Sequence, residues 1–194
     1  SLFSTNIGEW VYFIALNLFV LNLTDSALAV GILYVIMPIA MLVTNSWAGS
    51  FVDRVNIRTL LCILNVLRAV MILCIAFTSN IFFIYGLSFF LQIGNALYST
   101  ASFVYIARII PEHLLPRFNA WKSMAQSSGF ILGPAIAGVL FMIGSIKFAI
   151  LMNAFILIVS SVLYLFLPKT HPLVERKPIS LQLLKEDWRE VLAY

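Results

Sequence analysis

Six stretches of about twenty residues, almost free of charge and separated by short polar breaks, constrain this chain more than anything else in its sequence. Crossing the hydrocarbon core takes roughly 20 apolar residues of helix, and the runs 2–23, 27–52, 59–78, 81–107, 118–143 and 146–167 each supply them. The breaks fall at Thr24-Asp25-Ser26, 53–58, Ser79-Asn80, 108–117 and Gly144-Ser145, where turn formers or charges gather. The expected fold is therefore an all-α, polytopic membrane bundle of six transmembrane helices. With 62% hydrophobic residues, 10% charged residues and a mean hydropathy of +1.01, a water-soluble domain is excluded. A signal peptide does not explain the pattern, because the apolar runs continue to Leu167.

The placement of the cations orients the helices. The loops after the second and fourth spans, together with the tail, carry Arg54, Arg58, Arg108, Arg117, Lys122, Lys169, Arg176, Lys177, Lys185 and Arg189. The opposite loops carry Lys147, and Arg68 lies inside the third span. The positive-inside rule then puts both ends of the chain in the cytoplasm, as in a multi-pass protein of the cell membrane. This distribution accounts for the net charge of +4 without a nucleic-acid partner. The connections are short, so successive helices run antiparallel.

After Leu167 the composition changes to a charged linker. Within it Leu181, Leu184, Trp188, Val191 and Leu192 recur at helical steps among Lys185, Glu186, Asp187, Arg189 and Glu190. That pattern predicts an amphipathic helix lying on the lipid interface or under the bundle. The expected organisation is a bundle over 1–167 and a cytoplasmic linker over 168–194. Ser1 opens the chain inside an apolar run without a methionine, and the linker leads onward, so a fragment lacking a carboxy-terminal half is expected. Pro38 and Pro134 each sit mid-span near a glycine, Gly31 and Gly133, as an inverted three-plus-three repeat would leave them.

The loop after the second span reads Gly49-Ser50-Phe51-Val52-Asp53-Arg54-Val55-Asn56-Ile57-Arg58. Gly49 permits close approach of backbones at the mouth, and Asp53 is expected at the amino end of the third span, where free N–H groups favour an anion. Arg54 and Arg58 add paired charge. By itself the loop also reads as an ordinary positive-inside connection. In the fifth span Ala125, Gly129, Gly133 and Ala137 recur every four residues and bare one side of the helix, beside Pro134 and Gly138. Small residues allow tight helix packing and the proline allows a bend, whether or not the groove bears on transport.

Together these segments resemble the major facilitator superfamily. The first is similar to that family's loop motif, which latches a gate between two halves, with Asn56 and Ile57 replacing a glycine and a basic residue. The second is similar to its antiporter motif, found mainly in exporters, with Ala137 in place of a glycine. Ser4-Thr5-Asn6-Ile7-Gly8-Glu9-Trp10, then Leu23 through Gly31, and Ile110-Pro111 with Leu115 and Asn119-Ala120, look like the drug-exporter branch of macrolide, siderophore and lysophospholipid carriers. The family's fourth-span arginine is absent, Phe90 standing in its place, so no proton-coupling role is carried over to that position.

Two ionisable residues lie within spans, Glu9 and Arg68, and buried charge in lipid is usually aimed at a partner or a wet cavity. They enter from the same side, roughly 10 and 14 Å deep at 1.5 Å per residue. Their alternatives are a coupling site, a structural ion pair, or side chains snorkelling to the cytoplasmic rim. Asn17, Gln92, Asn95, Tyr98 and Ser99 either line a cavity between the first and fourth spans or hold helices together.

Catalysis is not expected, since no paired carboxylates, Ser/His/Asp set or His/Cys cluster occurs at usable spacing. No metal site and no cofactor are implied. Cys62 and Cys74 stand about 18 Å apart along one helix, too far to bridge. The resemblance implies a secondary efflux antiporter exchanging amphipathic small molecules for protons across the lipid bilayer. The alternatives are a lysophospholipid transporter or a non-transporting anchor, the last expected to leave no cavity between the first and fourth spans.

Overall fold

The computed structural model describes the backbone from Leu2 to Phe166 and side chains from Thr5 onward. The linker over 168–194 and its amphipathic helix lie outside the described residues. The chain forms α1 (Leu2–Thr24), α2 (Ala27–Arg54), α3 (Ile57–Phe77), α4 (Ile81–Ile109), a 3-10 turn (Glu112–Leu114), α5 (Leu115–Ile143) and α6 (Ile146–Leu165). All six α-helices are long and apolar enough to cross a membrane.

Local chemistry sets the boundaries. Ser26, Asn56, Asn80 and Ser145 cap α2, α3, α4 and α6 by accepting hydrogen bonds from backbone N–H groups of the first turn. Asp25 turns the chain between α1 and α2 in the left-handed region, at φ 49°, which aspartate tolerates better than most residues. Pro116 sits in the first turn of α5, where its missing N–H leaves no helical bond unmade.

Two expectations are corrected here. Helix α2 continues through Arg54, so Asp53 belongs to its last turn and not to the amino end of α3; Asn56 caps α3, its side-chain oxygen accepting from Thr59 N. Gly49 faces open space, so it serves no close backbone approach within this bundle.

The packing repeats with the expected symmetry. Helix α1 packs on α5 as α4 packs on α2, α1 packs on α6 as α4 packs on α3, and α3 meets α6 across the centre. Exchanging α1–α3 for α4–α6 therefore maps the principal contacts onto themselves. Three helices per unit is an odd number, which inverts one unit relative to the other in the membrane. The core holds the inward faces of α1, α3 and α6, including Ala15, Val20, Ile72, Ile150 and Leu157. Small and polar groups draw α3 to α6: Asn65 Nδ2 donates to Ser160 Oγ at 3.4 Å, and Ser161 Oγ donates to the Cys62 carbonyl at 3.1 Å. Helices α2 and α5 are the least buried, with Leu33, Ala40, Thr44, Ala48 and Val52 the buried set of one and Gly129, Gly133 and Ala137 that of the other. Their free faces are apolar, as lipid or another helical unit requires.

Candidate functional site

The two charges that the sequence leaves inside its spans meet. Arg68 on α3 reaches across to α1, and its Nη2 donates to Glu9 Oε1 as a salt bridge. Arg68 is 2% exposed while the Glu9 side chain is 37% exposed, so one end of the pair is sealed in protein and the other opens onto space. Gly94 on α4 makes room for the arginine, because a Cβ there would stand 3.2 Å from Arg68 Cγ. Arg68 Nη1 also donates to Asn65 Oδ1 at 3.3 Å, and the guanidinium carbon lies 4.9 Å from the centre of the Tyr98 ring. Tyr98 is held in turn by a 2.7 Å hydroxyl contact with Tyr164 of α6.

Helices α1 and α4 barely touch, and a cavity of about 420 Å³ fills the gap. Its apolar lining is Leu16, Leu33, Ile36, Met37, Ile72 and Leu91. Its polar lining includes the ion pair, Gln92 and Asn95. Six of its lining residues each carry a buried polar atom without a partner among the described residues: Asn6 Oδ1, Tyr12 Oη, Arg68 Nε, Ser88 Oγ, Asn95 Oδ1 and Asn153 Oδ1. Polar atoms out of water usually find partners, so these six are candidates for contact with water or a solute. A vestibule of about 110 Å³ shares Asn6, Glu9, Asn95 and Gln126 with the cavity and adds Tyr98, Ser99, Ser102 and Lys122. A third hollow of about 410 Å³ is aromatic, lined by Trp10, Phe13, Tyr34 and Phe130 beside Pro134.

Of the residues expected to line a cavity, Gln92 and Asn95 face the main one and Tyr98 and Ser99 the vestibule. Asn17 stands apart in the aromatic hollow, where its Nδ2 donates to Tyr34 Oη at 3.2 Å. Tyr12, Ser88, Lys122 and Asn153 were missed by sequence reasoning. Lone asparagines within apolar runs are a usable signal, and Asn153 carries it; Tyr12 and Ser88 become visible only once α1 and α4 stand face to face.

At the charged end of the bundle Arg108 Nη2 donates to Asp53 Oδ1 at 3.0 Å and joins the last turn of α2 to that of α4. Arg58 donates to the Leu165 carbonyl at the end of α6. Gly129 and Gly133 form the seam between α5 and α1: a Cβ at Gly133 would lie 2.6 Å from Trp10 Cβ, and one at Gly129 3.0 Å from Trp10 Cδ1. Ala137 is fully buried on the same face, whereas Gly138 opens onto space. Replacing Asp53 with Asn is expected to change stability by less than about 1 kcal/mol, because the pair is partly exposed. Thermal unfolding checks this, and a large loss of folded protein would show the pair to be a structural necessity.

The chain matches the Major Facilitator Superfamily over residues 1–193. It is similar to the "Uncharacterized MFS-type transporter YfiS" of Bacillus subtilis (strain 168), with 24% identity over 166 residues. The match covers 85% of this chain and 40% of that relative, so the chain spans well under half the relative's length.

Proposed function

The chain belongs to the Major Facilitator Superfamily, and we propose that it is the amino-terminal half of a secondary exporter that moves amphipathic small molecules out of the cell in exchange for protons. As a member of that family it is part of a multi-pass membrane transporter and not of an enzyme. The observation that carries the reading is the cavity between α1 and α4, lined by both apolar and polar side chains and including the Glu9–Arg68 pair. A non-transporting anchor has no use for such a space. Amphipathic solutes match a lining of both kinds, and Glu9 is the carboxylate that a proton reaches from the vestibule.

In this reading Gly49, Asp53, Arg54 and Arg58 belong to the cytoplasmic gate, with the Asp53–Arg108 bridge as its fixed point in this half. Gly129, Gly133 and Ala137 supply the close seam along which α5 moves against α1, beside Pro134, while Gly138 stands off that seam. A carboxy-terminal half completes the cavity, and the free faces of α2 and α5 are where it docks.

Orientation has its own test. In a background with Cys62 and Cys74 replaced by serine, cysteines at Arg58 and Arg117 are expected to react with an impermeant reagent only from the cytoplasm, and one at Ser145 only from outside. The reverse pattern overturns the orientation. Function is tested in everted membrane vesicles holding the whole protein. An inside-acid pH gradient is expected to drive an amphipathic dye into the lumen, and collapsing it to release the dye. Dye movement indifferent to the protein contradicts the reading.

A further inference from the structure

We propose that the cavity takes solutes with an anionic head group, a carboxylate or a phosphate, and that the head binds Arg68 by displacing Glu9 from it. The inference rests on reading the cavity as the solute site and does not depend on the coupling ion.

The first argument is charge. Across the cavity and its vestibule the charged lining residues, among the described ones, are Glu9, Arg68 and Lys122, one carboxylate against two cations. The space that a solute enters is therefore net positive, and Lys122 places the second cation on the vestibule that leads inward. Its Nζ lies 5.8 Å from the centre of the Phe103 ring, a contact that leaves the ammonium's hydrogens available.

The second argument is the donor set. Arg68 offers five N–H groups; the described bonds occupy Nη1 with Asn65 and Nη2 with Glu9, and Nε is buried without a partner among the described residues, on a side chain that lines the cavity. Tyr12 Oη and Ser88 Oγ, on residues 6% and 4% exposed, are unpartnered and line the same space. A guanidinium edge with two hydroxyls is the equipment for holding a head group with two or more oxygens. The apolar lining residues Leu33, Ile36, Met37 and Leu91 take an apolar tail.

The third argument decides between an anion on Arg68 and a cation on Glu9, because either would split the pair. A cation that captured Glu9 would leave Arg68 charged, 2% exposed and without its carboxylate, which is the expensive way to break a buried pair. An anion that captured Arg68 would release Glu9, whose side chain is 37% exposed and also lines the vestibule, so water can solvate it where it lands. The asymmetry of burial favours the anion.

The test measures binding to the whole protein in lipid nanodiscs, with empty nanodiscs subtracted. The probes share one tail and differ in head: dodecanoate, dodecyl phosphate, dodecyltrimethylammonium and dodecyl maltoside. At least one anionic probe is expected to bind about tenfold more tightly than the cationic and neutral ones. Arg68→Lys keeps the charge but loses the fork, and should weaken that binding about tenfold. Glu9→Gln removes the competitor and should strengthen it, a result that a merely structural pair does not give. Lys122→Gln, on the rim and safe for folding, should weaken it a few-fold at low salt and less at high salt. Trimethylammonium binding as tight as the anions, or Glu9→Gln weakening anion binding in folded protein, overturns the proposal and assigns the head-group contact to Glu9. If no probe binds while a pH gradient still drives dye transport, the anionic inference falls and the exporter reading stands. If transport is missing as well, both fall.

Discussion

Replacing Glu9 with glutamine is expected to lower the stability of the whole protein by about 2–3 kcal/mol, below the roughly 3–5 kcal/mol of a wholly buried pair because Glu9 reaches solvent. Glutamine still accepts a hydrogen bond from Arg68, but it leaves a guanidinium at 2% exposure without a counter-charge. Arg68→Leu does different damage. The carboxylate left behind is open to water, yet the volume beside Gly94 and the contact with the Tyr98 ring are lost. Combining Glu9→Gln with Arg68→Leu removes both charges, so the double variant should recover much of the folded protein that the singles lose. Thermal unfolding of detergent-purified protein reads the cycle. Two single variants as stable as the original would show that the pair holds nothing.

The second large effect is at the α1/α5 seam. Gly133→Val should destabilise the bundle by about 1–3 kcal/mol, because the added atoms overlap Trp10 Cβ, which moves only with the α1 backbone. Trp10 is itself packed edge-on against Phe130 at 5.1 Å and Phe13 at 6.2 Å, so shifting it disturbs the aromatic hollow as well. Gly138 is the control: nothing lies within 4 Å of its would-be Cβ, and Gly138→Ala should be neutral or slightly stabilising through helix propensity. Equal losses at both positions would contradict the seam, since the difference between them is the close approach itself.

Much of the bundle was legible because lipid leaves a chain few options. Runs of apolar residues bounded by Ser26, Asn56, Asn80 and Ser145 mark helices whichever partners they find, and the same residues turned out to be the caps. The ends were less legible. Asp53 was expected at the amino end of the third helix, and it was the backbone beyond it, capped by Asn56, that placed it in the last turn of the second. Helical spacing also marked Gly129, Gly133 and Ala137 as one face, but periodicity alone does not name what that face meets; Trp10 and Asn6 supply the answer.

At the site, charge in an apolar run is conspicuous, so Glu9 and Arg68 stood out, and their similar depths allowed them to meet. Gly94, which clears the path of the arginine, carries no mark separating it from Gly86 or Gly31, whose surroundings are empty. Tyr12 and Ser88 are ordinary core residues by composition, and their unpartnered hydroxyls matter only because α1 and α4 stand apart. Sequence spacing fixes what shares a helix face, whereas a cavity depends on where two helices fail to touch.

The most direct measurement of the whole account is solute accumulation in proteoliposomes of the whole protein under an imposed pH gradient, comparing the original with Glu9→Gln at equal amounts of folded protein. The account predicts that the original accumulates solute against its gradient and that Glu9→Gln loses accumulation while still binding solute. Equal accumulation by both proteins would contradict it.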